Sequence, residues 1–451
     1  MSSIPLPQSI RPLGETTAPL IADRADLPTS VGIALSALSP TTLPSRPVPL
    51  VPEDVLRRQD VFVSTDTRFT AACRLLASLW REEHGLPAGQ HRLEPRRAGG
   101  RTASSTISDT VRPNSVRLAS RLSTAAARAG ATFLSPAIAA HVREILLFRE
   151  PGALFEETRL WGNLLSSQAL TLNLFVPLAL DLGRAATVLQ RLLPGFVGTV
   201  TGIRFEHSPG RRGPDYFDDG TAFDVFIDIV TPEGEPAFVA IEVKYTESAG
   251  GPTPAPRLRY DETTRDSGLY RDPNAAVLAR SGFEQLRREH VLSQLLLRHG
   301  LYGRGYFILL GPAHNNHVQT MSHRYAAELG DPAEAHCRVG FSTLTLEAVV
   351  AAIGETGAAD FATSFTARYL DTARVARFVL AQDMPALPAP RRLKGKATSA
   401  AVPDRSNSEQ VSDAASFDWP RTKPAVRSRT PRIRANRLKR GSDESQIQPR
   451  A

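Results

Sequence analysis

Apolar residues recur three and four apart from about Asp66 onward. Phe69, Cys73, Leu76 and Trp80 form one side of a helix that Gly85 and Pro87 terminate. A second stripe, Leu172, Phe175, Ala179, Leu182, Ala186, Leu189 and Leu193, predicts one helix bent at Pro177 and stopped at Pro194-Gly195. The period then drops to two. Val197, Thr199, Thr201, Ile203 and Phe205 alternate as in a strand over 197–206, and further strands follow at 221–230 and 237–245. Those two flank the short turn Pro232-Glu233-Gly234-Glu235-Pro236 and read as an antiparallel hairpin. A long polar segment, 247–280, reads as a loop. A helix over 281–299 and a strand over 305–310 complete the pattern.

Helix, three strands, helix, strand is an α/β order built on a central mixed four-stranded sheet flanked by helices, with an N-terminal helical extension. Residues 1–60 mix Pro, Ser, Thr and Leu without a sustained period and read as a disordered leader. Residues 61–115 read as the helical extension and a mobile linker, 116–383 as the compact domain with its core at about 155–312, and 384–451 as a disordered basic tail.

Composition changes this picture in two places. The net charge is +8, and residues 386–451 alone hold 15 Lys/Arg against 6 Asp/Glu, so the positive excess sits in the tail. Such a tail attracts polyanions by counterion release and is equally the composition of a solvated disordered end. Cys73 and Cys337 are the only cysteines, which removes a disulfide framework or a cysteine-rich zinc site and fits a reducing compartment. With no signal-peptide pattern and no apolar run long enough to span a bilayer, the expectation is a soluble cytoplasmic protein with no membrane partner.

The hairpin carries the chemistry. Alternation sets Phe223, Val225, Ile227 and Ile229 on one face and Asp224, Phe226 and Asp228 on the other; on the partner strand Glu242 and Lys244 lie opposite Val239, Ile241, Val243 and Tyr245. Asp224 and Glu242 can therefore stand side by side, with Lys244 one pleat along. Two nearby carboxylates against an apolar sheet are costly to ionise together unless a cation is bound. Mg²⁺, with Mn²⁺ as substitute, takes one or two carboxylates plus waters and phosphate oxygens. A lysine two residues beyond the glutamate can orient an attacking water and offset negative charge in the transition state. Phosphodiester hydrolysis suits this set best.

This order of elements, with Asp224 on the second strand and Glu242-Val243-Lys244 on the third, resembles the PD-(D/E)XK (restriction-endonuclease-like) nuclease superfamily over roughly 155–312. The stretches LSSQALTLNLF, IRFEHSPGRR, TAFDVF and IEVKY resemble an uncharacterised bacterial branch described as restriction endonucleases. The resemblance implies metal-binding roles for Asp224 and Glu242, a catalytic role for Lys244 and a substrate of DNA, with RNA left open and a homodimer compatible. Phe223 stands where the motif name has proline. A non-catalytic nucleic-acid-binding or scaffold protein that keeps the fold is the alternative, and three retained charges argue against it.

Weaker candidates surround these three. Glu156, Glu157 or Asn173 could add a polar group from the first core helix, and Arg287, Gln294 and Arg298 form a polar stripe on the helix after the hairpin. Arg211 and Arg212 could grip phosphates, and His207 could touch substrate, although solvated arginines and a strand-end hydrogen bond explain them as well. His314 and His317 make a His-x-x-His pair, but zinc needs two more ligands and none is near in sequence.

Overall fold

A computed structural model describes residues 47–92, 115–247, 257–330 and 338–383. The first elements are α1 (Glu53–Arg58), α2 (Arg68–Glu83), β1 (Ala88–Arg92) and β2 (Ser115–Leu122). Five helices follow: α3 (Thr124–Ala129), α4 (Pro136–Leu147), α5 (Glu157–Gly162), α6 (Ser167–Ala179) and α7 (Leu182–Leu192). Then come β3 (Thr199–His207), β4 (Phe223–Val230), β5 (Pro236–Val243), α8 (Leu258–Ser267), α9 (Phe283–Arg298) and β6 (Arg304–Gly311). The described chain ends with α10 (Asn316–Glu328), β7 (Gly340–Thr345), α11 (Leu346–Gly354), α12 (Ala359–Tyr369) and α13 (Thr372–Asp383).

The main sheet runs β3-β4-β5-β6-β7. Its first three strands are antiparallel, whereas β6 pairs parallel to β5 and β7 parallel to β6. This is the expected mixed sheet flanked by helices, with β7 as a fifth strand. Alternation divides two cores across it. Val225, Ile227, Ile229, Val239, Ile241 and Val243 pack with residues of α6, α7 and α11, while Phe226, Phe238, Ala240, Phe307 and Leu309 pack with α9 and α10. The inner strands are buried on both faces, as central strands between two helical layers must be.

Several expected elements differ. The stripe over 172–193 is two helices, α6 and α7, bent by 112°. The break falls beyond Pro177, at Asp181, whose side chain accepts the Arg184 N–H and starts a new helix. In β3 the register shifts between Val200 and Gly202, a bulge that changes which residues face the core. Helix begins within the stretch read as a leader: Val48, Val51, Val55 and Leu56 are buried with Leu75, Leu76 and Leu79 of α2 and Val375 and Val379 of α13. Ala88–Arg92, read as linker, pairs with Ser115–Leu122, at the start of the stretch read as the compact domain, in a two-stranded ribbon. The polar 247–280 segment contains α8, whose buried residues, Tyr260, Thr264 and Ser267, are too few and too polar to show a period. The basic tail and Cys337 lie outside the described residues. No single described helix is long and apolar enough to cross a membrane.

Candidate active site

The β4–β5 ladder pairs regularly from Val230↔Pro236 to Val225↔Ile241 and stops there. Asp224 is the next residue, and its Oδ2 accepts the Val243 N–H at 2.8 Å. A side-chain carboxylate thus closes the open end of the hairpin and is drawn against β5. Lys244 follows the last residue of β5, and its N–H donates to the Leu310 carbonyl of β6 at 2.8 Å. Backbone bonds to neighbouring strands therefore fix all three predicted residues. Phe223 departs from the predicted alternation. Where pairing ends, its ring turns to Phe226 and Phe307, on the α9 side of the sheet.

Glu242 is only 4% exposed. Its Oε1 accepts from Lys244 Nζ at 2.5 Å and from Gln285 Nε2 at 2.7 Å. Gln285 Oε1 accepts from Lys244 Nζ at 2.9 Å, and Gln285 Nε2 also donates to Glu289 Oε1 at 2.8 Å. One amide on α9 thus ties together the lysine and two glutamates. On the other side stands Glu206, near the end of β3, at a left-handed φ of 50°. Gln168 of α6 donates to its Oε1 at 2.6 Å, and Glu206, Gln168, Asp224, Phe155, Thr171, Leu172 and Phe205 line one small cleft.

Charge in this group is unbalanced. Three carboxylates, Asp224, Glu242 and Glu289, act on one ammonium, Lys244, and Glu206 adds a fourth acid beside Asp224 and Glu242, while Arg211 acts on Glu206 and Arg288 on Glu289. Burial, and then repulsion from Glu242 and Glu206, hold the Asp224 carboxyl well above the usual range against the pull of Lys244. Burial pushes Glu206 up to about 7, with Glu242 adding to the shift and Gln168 opposing it. Glu289 is raised by burial and then by Glu242. For Lys244, burial works against the charged form, but Glu242, Glu289 and Asp224 outweigh it and raise the ammonium above its usual value. Lys244 is therefore a cation at neutral pH. The Glu289 Oε2 atom is buried without a hydrogen-bond partner.

Such an excess of enclosed carboxylate is what a bound cation relieves. Among the described residues no three His, Cys, Asp or Glu side chains form a complete ion cage. The donors fit instead an ion that takes one or two carboxylates and completes its shell with water and phosphate oxygens, and Asp224 and Glu242 could be those two.

The other candidates lie elsewhere. Glu156 and Glu157 are exposed beside Arg159 and Arg149. Asn173 is a buried tie: its Oδ1 accepts the Leu134 N–H, and its Nδ2 donates to Thr132 O, Ala169 O and the Tyr369 hydroxyl. Arg287 pairs with Asp261 of α8, Gln294 Oε1 accepts the Val339 N–H, and Arg298 lines a separate surface cleft with Asp215 and Glu262. Arg211 staples its loop through Gly152 O, Gly220 O and Glu206 O, while Arg212 is exposed. His207 bridges Glu150 and Arg204. His317 is exposed on α10, just past the half-buried His314. Sequence reading missed Gln168, Glu206, Gln285 and Glu289. Gln285 and Glu289 stand four apart on a helix otherwise rich in buried residues, and that spacing was the available signal.

A mixed sheet that gathers acids and a lysine at the open end of its central hairpin defines the restriction-endonuclease-like class. In the family comparison, a model described as the PD-(D/E)XK nuclease superfamily matches residues 64–371, well over half of the chain. The protein belongs to that superfamily. No curated protein and no solved structure matches the chain.

Proposed function

We propose that the protein is a metal-dependent nuclease that hydrolyses DNA phosphodiester bonds, with Asp224, Glu242 and Lys244 as its working residues. The observation that carries this reading is the crowding of acids: three enclosed carboxylates around Lys244, two of them on the paired strands β4 and β5. Asp224 and Glu242 would hold Mg²⁺, or Mn²⁺ in its place, which when bound polarises the scissile phosphate and acidifies a water. Asp224 stays aimed because the Val243 N–H holds one of its oxygens. Lys244 supplies a fixed positive charge for the phosphorane-like transition state, where the demand for it is greatest. Gln285 keeps the lysine from swinging away, since it accepts from Nζ while anchored on Glu242 and Glu289.

The test incubates the full chain with plasmid, single-stranded DNA and RNA, each with Mg²⁺ and with chelator. Metal-dependent cleavage that Lys244→Ala abolishes without unfolding the protein is the expected result. Binding without cleavage of any of the three would instead support a non-catalytic nucleic-acid-binding protein.

A further inference from the structure

Arg121, near the end of β2, is half-buried, and among the described residues its guanidinium has no ion pair or hydrogen bond. Its strongest charged neighbours are of its own sign. Burial, and then repulsion from Arg74 and Arg159, hold it below the usual arginine value, and only Glu156 pulls the other way. Both of those arginines are fixed. Arg74 on α2 donates to the two oxygens of Asp66 and, at 3.3 Å, to the hydroxyl of Ser120, next to Arg121. Arg159 on α5 pairs with Glu156 at 3.1 Å and with Glu247 at 3.6 Å. Its carbonyl accepts the N–H of Asn163, the residue that bridges to Arg121. The three form one cluster whose acids are engaged by Arg74 and Arg159, and Arg121 is left over.

This cluster borders the candidate site. Thr70, one turn before Arg74, donates to Thr246 O at 3.3 Å, two residues beyond Lys244. Glu247, a partner of Arg159, accepts the Tyr245 N–H at 3.0 Å. On the other flank the Glu156 N–H donates to Gln168 Oε1 at 3.3 Å, in the amide whose Nε2 holds Glu206. The residue before it, Phe155, lines the cleft with Asp224. Bonds therefore tie α2 and α5 both to the end of β5 and to the cleft. A half-buried guanidinium that has lost part of its water and met mainly like charges needs an anion. Its planar fork suits the paired oxygens of a phosphate. Beside a centre that acts on phosphodiesters, the anion at hand is another phosphate of the same chain. We propose that Arg121 binds a backbone phosphate of nucleic acid close to the scissile one, with Arg74 and Arg159 adding to its field. The contact positions the substrate without reading its sequence, and it comes from the β1–β2 ribbon rather than the main sheet. This rests on the nuclease reading of the site.

The binding arm of the test compares full-length Lys244→Ala protein with the same protein carrying Arg121→Gln. Each meets one single-stranded and one duplex oligonucleotide, in Mg²⁺, over a series of salt concentrations. Loss of one phosphate contact should weaken binding about tenfold and reduce the slope of log Kd against log salt by about one. Arg121→Lys should keep the slope and lose part of the affinity. Tm should not fall in Arg121→Gln, because the change removes an unpaired charge from among cations. A lower Tm with an unchanged slope would make the residue structural and overturn the proposal. In the otherwise unaltered protein, the loss should appear in KM more than in kcat. Inorganic phosphate that raised the Tm of the parent but not of Arg121→Gln, with the slope unchanged, would assign the site to a free anion and overturn the backbone contact. The two readings fail separately. A reduced slope without any cleavage by the unaltered protein would count against the nuclease reading alone, whereas cleavage with an unchanged slope would count against this site alone.

Discussion

The two ends of the β4 strand carry an aspartate each, four residues apart, and they have opposite surroundings. Asp228 is matched. Arg204 donates to both of its oxygens at 2.8–3.1 Å, and the Tyr302 hydroxyl donates at 2.6 Å. The Arg204 guanidinium also lies over the Phe226 ring and bonds His207 Nε2, which must then be the acceptor, leaving Nδ1–H to donate to Glu150. Every charge there has a counterpart. Asp224 instead has one backbone N–H and faces two more carboxylates, Glu242 and Glu206. A balanced polar cluster ties strands and loops together. An unbalanced one stores a need that a ligand meets, so charge balance rather than residue type separates structure from chemistry on this hairpin.

Breaking the unbalanced end should have the largest effect. Lys244→Ala is expected to lower kcat by about 10²–10³-fold, the usual loss when a preorganised transition-state charge is removed. Single-turnover cleavage at saturating Mg²⁺ measures it, and a loss below threefold would move the chemistry away from Lys244. Gln285→Leu comes next. It removes the bond that steers Lys244 and leaves Glu242 and Glu289 without their shared donor. An outer-shell change of this kind costs about 10–100-fold in metal affinity or rate. Because the role is one of positioning, the Mg²⁺ dependence of cleavage should shift while Gln285→Glu or Gln285→Asn restores only part of it.

The hairpin and the placing of Asp224, Glu242 and Lys244 at its open end were legible because Val, Ile and Phe mark the faces of a strand pair buried on both sides, although Phe223 leaves that alternation where the β4–β5 pairing stops. Glu206 was hidden by the bulge in β3, which breaks the parity that alternation relies on, and by a positive φ that no period signals. Gln285 and Glu289 were hidden for another reason. α9 is buried on most sides, so its polar residues serve different neighbours: Arg287 faces α8, Gln294 meets Val339, His290 packs on Phe307 and Phe341, and the 285/289 pair reaches Glu242. Periodicity finds a polar stripe but not its partner. Likewise Asn173 looked like a site residue and proved to be a hub of four hydrogen bonds.

Stability against pH sharpens the contrast further. Asp224, Glu206 and Glu289 all have folded-state values above the ordinary carboxyl, so the folded protein keeps protons that the unfolded chain releases. Their contribution is complete below the unfolded value and lost as pH rises; for Glu206 the window runs from 4.5 to about 7. In chelator, Tm should therefore fall across that window, and Glu206→Gln should flatten part of the fall. Mg²⁺ at a hundredfold over its Kd should restore about 2.7 kcal/mol at pH 7 by mass action. Thermal melts from pH 4.5 to 8 with and without the ion check both statements; a Tm indifferent to Mg²⁺ would contradict the unmet need.

The smallest effect belongs to the balanced end. Asp228→Asn keeps the shape of the side chain and removes one charge from a pair whose two side chains remain 41% and 24% exposed. Solvent screens such a pair, so the cost should be about 1 kcal/mol, read as a Tm lower by about 2–4 °C. The rate of Mg²⁺-dependent cleavage should stay within twofold, since Asp228 touches neither Lys244 nor the cleft beside Asp224. If Asp228→Asn instead lowered kcat as Lys244→Ala should, the matched network through Arg204, His207 and Glu150 would belong to the reaction, and charge balance would no longer distinguish the two ends.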